Sequence, residues 1–202
     1  MIRNRELQIA LVLMLFTCIG VFRGRHVVGE DLSSSYVGCR VLAAGGGAHL
    51  YSHDPEIFRT VEDPVWTSIA RQAGFSPLGL LHPYVQTPLW AYVLRPVCAH
   101  TNFRRFCQLF LVLIMLATSG VIWLVSRYWT PSLFHPAWTA LIYAALMLSE
   151  PFKYAVFLTQ THILFVFLTV LALVLAERDR EMPAGICLAL AARPLKSRPA
   201  SS

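Results

Sequence analysis

The sequence predicts an all-α polytopic membrane protein, and three observations carry that reading. Of 202 residues, 56% are hydrophobic and 14% charged, where soluble domains carry roughly a quarter. The apolar residues gather into successive runs, separated by short polar breaks. The breaks hold Arg, Trp and Tyr, the residues that anchor helices at membrane interfaces. A backbone in lipid must satisfy its own polar groups, so the runs are expected as helices with no sheet core.

The first run covers 7–22, about 24 Å at 1.5 Å per residue, which is short for a full crossing. Arg3 and Arg5 precede it, and Arg23 and Arg25 come directly after it. No small-residue cleavage pattern separates it from the next segment, so it is expected as a retained helix rather than a removed leader.

The segment 23–105 comes next and holds most of the carboxylates and half of the prolines. It is too long and too patterned for a linker. Within it, Ser33 to Ala44 reads as a short helix with Tyr36, Val37, Val41 and Ala44 on one face, stopped by Gly45, Gly46 and Gly47. Pro64 to Gln72 reads as a second, amphipathic helix.

The run 106–125 is the strongest span: Cys107 to Val125 is 19 residues without a charge, with Arg104 and Arg105 before it and Arg127, Tyr128 and Trp129 after it. The run 136–149 is shorter, bounded by Pro136 and by Glu150-Pro151, and is expected to be tilted or broken. The run 154–176 is long enough to cross if Gln160 and His162 face the bundle interior or an interface. The run 182–192 closes a single membrane module over 1–192, and 193–202 reads as a disordered tail. Basic residues divide five against five between the two sides, so charge does not set the orientation.

Other classes are disfavoured. The net charge of +6 comes from residues beside apolar runs, and no nucleic-acid-reading motif is present. Charges sit in loops rather than along a pore, which argues against a channel or transporter. The five cysteines form no C-x-x-C and no zinc-ligand spacing, so neither metal nor cofactor is expected. Cys18, Cys107 and Cys187 lie in apolar runs; Cys39 and Cys98 could meet in an aqueous loop, but spacing does not decide their pairing.

The stretch "GEDLSSSY" (29–36) places Glu30 and Asp31 directly after the first helix. Asp31 has two readings. As a cap it accepts backbone N–H bonds and suits the positive end of a helix. As a general base it uses the basicity that partial desolvation at a lipid surface confers. One acid alone does not choose between them.

The order of later features does bear on the choice. Asp31, Tyr36, Gly46, Tyr51 and Asp54 are followed by Pro88, Leu89 and Pro96, then by Gln160 opening a long apolar stretch, then by Ala184-Gly185 opening the next. This order, from about Leu7 to about Ala192, resembles glycosyltransferase family 87. The chain departs from the family pattern at Gln86-Thr87, where an aromatic-Pro is usual, and at Thr159, where Gly is usual. Members are longer, so the resemblance implies that this chain is an N-terminal portion, with activity in doubt.

The resemblance implies a GT-C-like N-terminal module, with a long extracytoplasmic loop of short helices after the first transmembrane helix. It implies transfer of a sugar, mannose above all, from a polyprenyl-phosphate donor to a glycan or glycolipid acceptor. The setting it implies is membrane lipid, at the outer face of a bacterial plasma membrane. Asp31 is then the base. Arg40, His82 and Lys196 are candidates for steadying the phosphate, Tyr36 and Tyr51 for stacking on sugar, and Gln160 for bonding a head group. Each has a bland alternative: a solvated helix face for Arg40, packing for the tyrosines, a helix-to-helix bond for Gln160. The competing class is a non-catalytic small helical membrane subunit or assembly factor.

Overall fold

The computed structural model describes residues 2–26, 29–51, 63–75, 84 and 88–192, with no side-chain description at 2, 3 and 30. Among these residues all regular structure is helical. Two helices are long and apolar enough to cross a membrane, and a bent pair passes the same test jointly. The chain is an all-α membrane protein. His82 and Lys196, with Asp54 and the tail 193–202, lie outside the described residues.

Where a single module is expected, contacts group into two compact bodies. The first comprises Met1–Ser33 and Thr101–Ala191; the second comprises Ser34–His100 and the residues after Ala191.

In the first body, α1 (Ile2–Arg23) extends past the apolar run at its N-terminal end. Its early turn is tied by Glu6 Oε1 to Arg127 Nη2 at 3.1 Å. That pair is half exposed and stabilises little, but it places the start of α1 beside the end of α5 (Phe103–Tyr128). The two helices therefore run antiparallel. α5 starts before the expected run because the Asn102 side chain caps it, accepting from Arg105 N at 2.9 Å.

Close approach along this pair is set by Gly20 and Gly24. A Cβ at Gly20 would collide with the Met115 side chain, and one at Gly24 would crowd Leu111. Three polar side chains within the bundle bond to helix partners there. Thr17 Oγ1 and Ser119 Oγ share a 2.7 Å bond, Ser119 donates to Tyr143 Oη at 3.3 Å, and Tyr143 donates to Met115 O at 3.2 Å. Lipid offers no water to these groups, so each finds a helix partner. Around them pack Ile9, Leu13, Leu111, Ile122 and Phe134.

After α5, α6 (Pro136–Leu148) and α7 (Glu150–Phe157) meet at a 70° bend. Pro151 lies in the first turn of α7, and Ser149 between the helices is extended, at φ −71° and ψ 135°. The sequence places one helix over 154–176; the structure breaks it. α7 stops at Phe157, and α8 (His162–Ala176) begins after four intervening residues. At 15 residues α8 is about 22 Å long, less than the hydrocarbon core of a bilayer. α9 (Glu181–Ala191) comes next and packs on α8. At the far end, Trp129 Nε1 donates to Glu177 Oε1 at 3.0 Å, and Arg178 lies 4.7 Å over the Tyr128 ring. The aromatic belt read from the sequence is thus engaged with the end of α8.

The second body holds short helices. α2 (Glu30–Ala43) begins three residues earlier than the sequence suggests and carries most of its length here. α3 (Pro64–Gln72) has the expected bounds. Asp63 caps it, accepting from Val65 N at 2.7 Å, and Pro64 occupies the first turn, where its missing N–H costs nothing. α4 (Pro88–His100) begins on a proline in the same way but contains Pro96, which forgoes the bond to the Tyr92 carbonyl. That interior proline hides α4 in the sequence. Cys39 on α2 and Cys98 on α4 form a disulfide, with Cα atoms 6.4 Å apart. Spacing alone leaves that pairing open.

Candidate functional site

The site begins at the turn into α2. Gly29 is buried, with φ +65°, a backbone state that strains residues with a Cβ. Its carbonyl accepts from Leu32 N at 3.0 Å, starting the helix. A Cβ here would collide with Cys107 Sγ of α5 and stand 3.5 Å from Thr159 Oγ1. The glycine therefore lets the chain turn tightly over α5 and the α7–α8 break.

Asp31 is the second residue of α2, not the residue before it. The sequence places it ahead of the helix as a candidate cap; α2 starts at Glu30, so Asp31 sits in the first turn. There its charge still suits the positive helix end. Its carboxylate is exposed and accepts a bond from across the bundle: Gln160 Nε2 donates to Asp31 Oδ2 at 3.0 Å. The two residues are 129 apart in sequence.

Gln160 reaches Asp31 because of how α7 ends. Thr159 takes φ +55°. Thr159 N bonds Val156 O at 3.1 Å, and Gln160 N bonds Ala155 O at 2.8 Å. This is a Schellman turn, with Thr at the position where Gly is usual. Gln160 is thus held in a helix break rather than inside a continuous span. Thr159 itself is fully buried, and its Oγ1 has no hydrogen-bond partner among the described residues.

The arrangement gives an exposed carboxylate that accepts from the Gln160 amide. Such a group can accept a proton from a hydroxyl brought within hydrogen-bond reach. Among the described residues no cluster of three or more His, Cys, Asp or Glu could hold a metal.

The remaining candidates lie in the second body or outside the described residues. Arg40 donates through Nη1 to Cys98 O at 3.3 Å and stands 6.0 Å over the Tyr36 ring. Tyr36 is buried and packs on Phe75, ring centroids 6.5 Å apart. Tyr51 is partly exposed and meets Tyr84 at 5.7 Å. Burial, then the neighbouring Tyr51, pushes the Tyr84 phenol above its ordinary range. These three candidates thus have structural partners within their own body. His82 and Lys196 are not described.

Sequence reasoning missed Gly29, Cys107 and Thr159. The one available signal was the departure from Gly at Thr159, which marks the position where the backbone needs φ above zero.

A family model for glycosyltransferase family 87 matches residues 73–193, more than half of the chain. The match includes Pro88, Pro96, Gln160, Ala184 and Gly185; it begins beyond Asp31, Tyr36, Arg40 and Tyr51. No curated protein and no solved structure matches the chain.

Proposed function

Because the chain belongs to glycosyltransferase family 87, we propose that it transfers mannose from a polyprenyl-phosphate donor to a glycan or glycolipid acceptor, with Asp31 as the base. The setting is the extracytoplasmic face of a bacterial plasma membrane. The acceptor oxygen attacks the anomeric carbon and forms the new glycosidic bond. The bond from that carbon to the phosphate oxygen breaks, and lipid phosphate leaves with the electron pair. Asp31 takes the acceptor proton. The carboxylate must point at the hydroxyl to do so, and Gln160 sets that direction.

The single observation behind this reading is the 3.0 Å bond from Gln160 Nε2 to Asp31 Oδ2. It joins a residue inside the family match to an exposed acid outside it. Asp31→Asn tests the reading. Asn suits a first helical turn and still accepts from Gln160, so the fold should survive. Loss of a general base should slow transfer on the order of a hundred- to ten-thousand-fold. The assay is transfer of labelled mannose from a polyprenyl-phosphate donor in membranes carrying the full chain, with circular dichroism as the control for folding. Undiminished transfer by Asp31→Asn ends the catalytic assignment. Absence of transfer by the unmutated chain favours a non-catalytic membrane subunit.

A further inference from the structure

The first body holds a second feature. A cleft of about 560 Å³ opens between the end of α1 and the α6–α7 bend. Its floor is apolar: Met115, Met147, Phe152 and Val156. Its charged lining is Arg23, Lys153 and Glu150. Gly20 and Gly24 line one wall, where α1 packs closely on Met115 and Leu111 of α5.

The two cations are available. Arg23 is exposed and has no ion-pair partner among the described residues. Lys153 bonds Glu150 at 2.7 Å, but that glutamate side chain is 77% exposed. An exposed i,i+3 pair stabilises little, so the phosphodiester anion of the donor can displace it. His26, also lining the cleft, accepts through Nε2 from Arg25 Nε at 3.0 Å.

Position selects the ligand. Arg23 is the last residue of a helix long and apolar enough to cross a membrane, where cations sit at head-group depth. An apolar floor with two cations in the same lining is complementary to a hydrocarbon chain ending in phosphate. The chain also links the cleft to the pair described above: Asp31 lies five residues after His26, and Gln160 three residues after Phe157.

We propose that this cleft seats the lipid phosphate of the donor, with Arg23 and Lys153 holding the phosphate and Met147, Phe152 and Val156 covering the first carbons of the lipid. The assignment rests on the transferase reading for the identity of the lipid. It moves the phosphate contacts from Arg40, His82 and Lys196 to two residues in the same body as Asp31.

The test is binding of farnesyl phosphate to the purified full chain in a nonionic detergent, read by calorimetry. Arg23→Gln and Lys153→Gln should each raise Kd about tenfold, as expected for loss of one charge-assisted bond. Arg23→Lys should recover most of the affinity, which a misfolded variant would not. Farnesol should bind more weakly than farnesyl phosphate and equally to all variants. Phosphatidylglycerol should compete at least tenfold less well. Unmutated chain binding farnesyl phosphate no better than farnesol overturns the proposal. So does a Kd within twofold in both glutamine variants, and so does equal competition by phosphatidylglycerol, which would make the cleft a general anionic-lipid site. Asp31→Asn should bind farnesyl phosphate normally. Should it also transfer sugar normally, Asp31 loses its role while the cleft assignment stands on the binding data.

Discussion

α2 and α7 end in the same turn by different means. α2 closes with Gly46 N on Val41 O at 2.9 Å and Gly45 N on Leu42 O at 3.1 Å, and Gly45 takes φ +83°. α7 closes with Gln160 N on Ala155 O at 2.8 Å and Thr159 N on Val156 O at 3.1 Å, and Thr159 takes φ +55°. The hydrogen bonds are alike; the residue bearing the unusual backbone is not. Glycine meets no steric cost there, and a β-branched residue meets a considerable one. The same contrast divides the two bodies. α3, in the second, closes on Gly74 at φ +85°; α8, in the first, closes on Asp179 at φ +56°. Glycine thus ends α2 and α3 in the second body, and side-chain-bearing residues end two helices in the first. One of those two turns presents Gln160 to Asp31. Strain at such a place is held by surrounding contacts, and here Thr159 is buried over Gly29 and Cys107.

The largest effect is expected where the first body does use glycine. Gly29→Ala adds a Cβ at φ +65° and drives it into Cys107 Sγ. Left-handed strain of about 1–2 kcal/mol and overpacking of about 1–3 kcal/mol together predict a loss of about 2–5 kcal/mol. Thermal unfolding in detergent, tracked by circular dichroism, measures it. Melting unchanged from the parent would show that the chain does not turn this way over α5.

Gly45→Ala isolates the backbone term. No atom lies within 4 Å of a Cβ built at Gly45, so only conformational strain remains. A loss of about 1–2 kcal/mol is expected, by the same measurement. A neutral result would mean that this turn tolerates a side chain freely, and the contrast between the two bodies would vanish.

Thr159→Gly should act in the opposite direction. It removes the strain, about 1–2 kcal/mol, and a buried hydroxyl without a partner among the described residues, worth about 1–3 kcal/mol. Against this stand the lost burial of a methyl group, about 1 kcal/mol, and the greater freedom of glycine in the unfolded chain, about 0.5–1 kcal/mol. A net gain of about 1 kcal/mol is expected. Thr159→Val keeps the strain and removes only the hydroxyl, so the two variants separate the contributions. Destabilisation by Thr159→Gly would show that Thr159 is held by packing worth more than its strain.

These turns also explain what the sequence could reveal. Gly45, Gly46 and Gly47 announce the end of α2, and Asp63-Pro64 announces the start of α3, because cap and turn chemistry is local. The helical membrane class comes from apolar runs alone. Thr159 by itself carries no such signal, since threonine does not mark a turn, and only the departure from the Gly usual at that position hints at the break in 154–176. The bond between Asp31 and Gln160 depends on a chain reversal far from either residue. Order along the chain picks out both, but only folding shows them touching. Lys153 reads in the sequence as a flanking charge; its place at a cleft with Arg23 comes from the 70° bend between α6 and α7.

The smallest effect is expected at Asp179, and it calibrates the rest. Asp179 is exposed, so a substitution there changes little packing. Aspartate visits the left-handed region more readily than a β-branched residue, because its short polar side chain bonds locally. Asp179→Gly should therefore stabilise by only a few tenths of a kcal/mol, the relief of strain being nearly offset by the entropy of glycine. The same melting experiment measures it against Thr159→Gly. If the two gains are equal, burial and branching at Thr159 contribute nothing, and the turn before Gln160 is an ordinary one. A gain at Thr159 several times that at Asp179 locates the strain where α7 hands the chain to the candidate site.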